Sequence, residues 1–181
     1  MGRQDFLGRV YRIAFDNEKE NRGCAQSVLA ALQDAFEMRN DEVFKAASGL
    51  SGGVGLSTHG TCGALSGGVM AIGMLFGRER RNFKDPDKTR MVAYRLGKQL
   101  SDRFEREYGS VVCCRIQGSY LGRNYDLWSN TDSVDFDKVA YQQSKCPHLV
   151  GTAAVWAAEI ILNELDKSYT SEEGRATSEL R

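Results

Sequence analysis

The residues most able to do chemistry in this chain are five cysteines, at positions 24, 62, 113, 114 and 146, and two histidines, His59 and His148. A thiol can pair in a disulfide, bind a metal, attack an electrophile or fill a core. Cys24, Cys62, Cys113 and Cys146 each lie more than thirty residues from the next. No C-x-x-C occurs, so the exchange motif of thioredoxin-like proteins and the close ligand pairs of zinc ribbons and ferredoxin loops are missing. Without C-x-x-C-H, no haem has a covalent attachment site. Lasting disulfides need an oxidising compartment. The opening Met1, Gly2, Arg3, Gln4, Asp5, Phe6 has no apolar signal core and no twin arginine, and Phe6 stands where a myristoylation signal wants Ser or Thr. The expectation is a cytoplasmic protein with reduced thiols, which shifts weight toward metal binding or redox chemistry.

The remaining candidates are weaker. His59, three residues before Cys62, and His148, beside Cys146, could hydrogen-bond a sulfur, relay a proton or replace a ligand, and equally suit a polar loop. Asp132, Asp135 and Asp137 lack the glycine and distal glutamate of an EF-hand loop. The glycine run at 49–61 matches neither G-x-G-x-x-G nor G-x-x-x-x-G-K-[ST], so it carries no phosphate-cradling signature.

These side chains must be positioned by helices. Length and composition suit one domain: 181 residues, 41% hydrophobic, with two prolines. Lys plus Arg balance Asp plus Glu at 24 each, so there is no overall basic field to hold nucleic acid or an anionic membrane. Apolar spacing of three and four predicts helices over 5–14, 24–38 and 87–108, the last ending at Gly109. A short helix capped by Asp41 is expected to run to Ala47, and a loop of five glycines then delivers Cys62. The segment 62–76 reads as a buried helix; it is too short to span a bilayer, which takes about 18 apolar residues. Ser110 can cap a helix bearing Cys113, and a further helix is expected at 135–142. The last element starts at Cys146 and Pro147 and runs to about Leu165. The expected organisation is an all-α, single-domain bundle over 1–166 and a polar tail over 167–181.

Each of the four separated cysteines falls at or near a predicted helix start. There the free N–H groups and the dipole favour an anion by roughly 0.3–1 kcal/mol. That suits a metal-bound thiolate, and it equally suits a free thiol whose pKa is lowered for reaction.

The run Cys62, Gly63, Ala64, Leu65, Ser66, Gly67, Gly68 resembles the Cys-Gly-Ala-x-x-Gly signature of the redox-active family called C-GCAxxG-C-C. Its other marks, three single cysteines, correspond to Cys24 in Asn21–Val28, Cys113 in Gly109–Cys113 and Cys146 in Cys146–Val150, so the likeness spans about 21–165. That family resembles the cluster-bearing part of split-Soret cytochromes. The resemblance implies an iron–sulfur cluster, [2Fe–2S] before [4Fe–4S], held by Cys24, Cys62, Cys113 and Cys146 in a helical homodimer that exchanges electrons with a redox partner protein. It also prefers Cys113 over Cys114 as the ligand, because Gly-Ser-x-x-Cys spacing fits Cys113. Two other functions stay open on the sequence: a thiol oxidoreductase that uses Cys62, and a zinc-stabilised helical interaction protein.

Overall fold

The computed structural model describes residues 2–178, with side-chain surroundings through Lys167. Eight α-helices are present among the described residues: α1 (Arg3–Asn21), α2 (Cys24–Ala35), α3 (Asp41–Ala46), α4 (Gly63–Phe76), α5 (Arg90–Tyr108), α6 (Cys113–Ile116), α7 (Asn130–Phe136) and α8 (Lys145–Ser178). There is no β-strand among them, and an isolated antiparallel bridge joins Thr61 to Val112. The all-α expectation holds.

Helices α1, α2, α4, α5 and α8 form the bundle. Their inward stripes, including Val10, Leu29, Leu32, Ile72, Leu100, Phe104 and Ile161, merge into one apolar core. Two of the helix contacts depend on missing side chains. A Cβ on Gly67 would strike the backbone of Ala25, so α4 can lie on the start of α2 only with glycine there. A Cβ on Gly151 would come within 2.7 Å of the Tyr11 ring, and Gly151 is where α8 meets α1. A smaller apolar cluster of Leu121, Tyr125 and Ala140 sits apart from the main core, joined by Phe136, Leu127 and Tyr141.

Several boundaries differ from the sequence expectation, each for a local reason. Helix α1 continues past Ala14 to Asn21, because its next inward position is Glu18, a buried carboxylate that breaks the apolar stripe without breaking the helix. Helix α2 stops at Ala35, before Met38, since Glu37 takes a positive φ of 54°. The cap of α3 is Asn40, whose side chain accepts from Val43 N–H, and not Asp41. Ser110 does not cap α6; its hydroxyl accepts from Val112 N–H. The start of α5 is held by Asp85, whose carboxylate accepts the N–H groups of Thr89 and Arg90, and this delays the helix from 87 to Arg90. Residues 130–142 are one helical stretch whose second half, Asp137–Gln142, widens into a π-turn. Helix α8 runs past Leu165 to Ser178, through residues such as Glu, Arg and Ala that favour helix. The expected tail at 167–181 lies largely outside the described side chains. No helix among the described residues is long and apolar enough to cross a membrane.

Candidate functional site

Four helix starts surround one cavity of about 450 Å³. Cys24 opens α2, Cys62 caps α4, Cys113 opens α6, and Cys146 is the second residue of α8. All four line this cavity, together with Glu18, Ser51, Gln117 and Tyr141. Cys62 is buried and the other three are partly buried.

Local backbone structure explains the convergence. Cys62 N–H donates to Val111 O at 2.8 Å and Cys113 N–H to Gly60 O at 3.0 Å, on either side of the Thr61–Val112 bridge. Two segments that are distant in sequence are therefore paired, and their cysteines arrive together. Cys113 and Cys114 are successive residues of α6 and so point about 100° apart. Cys114, whose N–H donates to Thr58 O at 2.7 Å, is accordingly not in the cavity wall. Gly63 does the same for Cys24: a Cβ there would collide with the Cys24 sulfur, so the glycine after Cys62 admits the sulfur of the neighbouring helix. The loop over 49–60 closes on the site as well. At Gly53, with φ of +69°, a Cβ would fall 2.7 Å from Cys113 Cβ.

Burial dominates the electrostatics. The thiols of Cys62 and Cys113 are pushed up to about 12, first by desolvation and then by neighbouring cysteines. Cys24 and Cys146 are also raised, by burial and then by Glu18 and the other thiols. A rise of roughly three units from the ordinary value is on the order of 4 kcal/mol, and a helix terminus supplies about 1 kcal/mol at most. Burial thus opposes the lowering of a thiol pKa that a helix start favours. Donors do point at the sulfurs. Ala64 and Leu65 N–H act on Cys62, Gly52 N–H acts on Cys24, and Gln117 Nε2 lies 3.8 Å from Cys113 Sγ. Ser51 Oγ is buried with no full hydrogen bond, yet it too lowers the Cys24 thiol against the larger effect of burial.

Sequence reasoning did not find Glu18. It is 1% exposed, and its two oxygens accept from Ser27 Oγ at 2.9 Å and Tyr141 OH at 2.8 Å. Burial raises its carboxyl to about 7, against the lowering pull of Tyr141, Ser27 and Arg22. A weak signal existed, since Glu18 continues the inward spacing of Leu7, Val10 and Ala14. Nearby, Arg22 holds Asp137 through two hydrogen bonds and lies over the Tyr141 ring at 4.3 Å.

Neither histidine lines the cavity. His59 is exposed, and His148 pairs with Tyr11 OH at 2.7 Å, which fastens α8 to α1. Among the described residues, no three His, Cys, Asp or Glu side chains form a group that could hold a metal ion. The four cysteines line one cavity without forming such a group.

The model of a protein family described as "Putative redox-active protein (C_GCAxxG_C_C)" matches residues 23–160. A protein of Archaeoglobus fulgidus described as "Uncharacterized protein" is 29% identical over 166 residues, covering 90% of this chain and 97% of that one. No solved structure matches the chain.

Proposed function

This chain belongs to the C_GCAxxG_C_C family of redox-active proteins, and on that premise we propose that it carries electrons through one iron–sulfur cluster bound by Cys24, Cys62, Cys113 and Cys146. The observation that carries the reading is the gathering of four thiols, from four separate segments, on the wall of one cavity.

The residues present fit such a group. Four thiolates are the usual ligand set of both [2Fe–2S] and [4Fe–4S] clusters, and we favour [2Fe–2S]. Ser51 Oγ, buried beside Cys24 without a full hydrogen bond of its own, is a donor turned to that sulfur. When bound, the cluster would supply one-electron chemistry. The chain's own residues do the rest. The apolar wall, with Ile116, Leu121, Leu149 and Val150, excludes water. Ala64 and Leu65 N–H at the start of α4 face the Cys62 sulfur, and the backbone pairing of 60–62 with 111–113 holds two ligands in register. Because burial keeps the free thiols protonated, loading must release protons.

The thiol-oxidoreductase alternative is less well supported, because a Cys62 thiol held near 12 is a poor nucleophile at neutral pH. The proposal includes a cytoplasmic homodimer and a partner protein that gives or takes single electrons. Its test is a visible spectrum of anaerobically purified protein with iron and acid-labile sulfide analysis. Colour with both elements in near-equal amount is expected; a folded, colourless protein without iron would overturn the reading.

A further inference from the structure

Gln117 is 4% exposed, follows Cys113 by one helical turn and lines the same cavity. A buried amide has to place both of its ends. Its Oε1 accepts the backbone N–H of Tyr125 at 3.0 Å. That bond fixes the orientation, because the flipped amide would set N–H against N–H. Nε2 is thereby turned to Cys113 Sγ, 3.8 Å away.

The Tyr125 amide is itself well held. The Tyr125 ring packs edge-on against Phe136 at 5.5 Å, Arg123 lies 3.9 Å from its centroid, and the next N–H, that of Asp126, donates to Asp132 at 2.9 Å. The chain also widens into a π-turn over Gln117–Leu121, a form frequent at functional sites. The segment around Tyr125 thus fixes the orientation of a side chain that faces the Cys113 sulfur.

We propose that Gln117 is a positioning residue for the redox centre: held by the Tyr125 amide, its side-chain N–H donates to the Cys113 sulfur, keeps that sulfur facing the cavity and favours the reduced state. The effect on the reduced state rests on the cluster reading given above; donation to the sulfur does not. A donor withdraws electron density from a thiolate, so it stabilises the form that carries the extra negative charge.

Two variants test this. Gln117→Met removes the donor at similar length, and Gln117→Glu, assayed at a pH above the one at which its buried carboxyl ionises, removes it while keeping an oxygen for Tyr125 N–H. In reduced, metal-free protein, iodoacetamide labelling of each cysteine is followed by mass spectrometry of the peptides. Cys113 should label several-fold more slowly in both variants, because less thiolate is present, with Cys62 at its wild-type rate. In loaded protein, the midpoint potential should move down in both variants and further in Gln117→Glu, at wild-type iron and sulfide content. Wild-type labelling of Cys113 in folded Gln117→Glu, or a wild-type potential in the loaded variants, overturns the assignment. A wild-type protein without iron and sulfide that still shows the labelling difference removes the cluster reading and leaves Gln117 in its role.

Discussion

Cys62 and Glu18 face the same cavity, and water exclusion acts on both by favouring their neutral forms. For Cys62 this means that only a strong anion-stabilising partner can draw the proton off. Cys62→Ser should therefore abolish the chromophore, while Cys114→Ser, outside the cavity wall, keeps most of it. Absorption spectra with iron analysis distinguish the two, and the reverse pattern would exchange the roles of the two neighbouring segments. For Glu18 the consequence is a pH dependence of folding. Its folded carboxyl titrates near 7, above an ordinary value near 4.5, so the native state holds a proton that the unfolded chain has lost. Stability from this group is complete below the lower value and declines as pH rises to the upper one, by about 3 kcal/mol in all. Urea unfolding of metal-free protein between about pH 5 and about pH 8 should show this decline, and Glu18→Gln should flatten it.

Two glycines of helix α4 show how an element, and not a residue alone, delivers the site. Gly67 touches the Ala25 backbone, and Gly73, six residues further along, has nothing within 4 Å of where a Cβ would stand. Gly67→Ala should force α4 off α2 and cost about 1–3 kcal/mol, the usual penalty of overpacking. Gly73→Ala should instead stabilise by about 0.5–1 kcal/mol, since alanine loses less entropy in a helix. Chemical denaturation of the two variants checks the opposite signs. Equal destabilisation would mean that helix propensity is irrelevant here and that the motif glycine has no special contact. The Cys-Gly-Ala-x-x-Gly pattern thus has a packing cause: Gly63 admits the Cys24 sulfur and Gly67 admits the α2 backbone, which brings two cysteine-bearing helix starts together.

At the scale of the molecule, the cavity lies between the main bundle core and the small cluster of Leu121, Tyr125 and Ala140, and residues of both line it. The proposed homodimer is also a matter of this scale; exposed apolar side chains occur on α4 and α5, at Val69, Leu75, Met91 and Tyr94, and elsewhere at Phe83 and Trp128. Sedimentation equilibrium should give twice the chain mass, and a monomer across the micromolar range would remove that part of the proposal. The amphipathic helices were readable from the sequence because a spacing of three and four depends only on helix geometry, as in α2, α5 and the apolar part of α8. The helix starts at Cys24, Cys62 and Cys146 were readable from the glycines and the proline beside them, whereas the one at Cys113 was expected from a Ser110 cap that does not form. Three features were decided only by the tertiary structure. They are the inward carboxylate of Glu18, the pairing of 60–62 with 111–113 that sets Cys113 in the cavity wall, and the hold of Tyr125 N–H on the Gln117 amide. Each depends on which distant segment lies opposite, and local periodicity carries no information about that; burial and pairing across the cavity then outweigh the helix-end field that the local signals had put first.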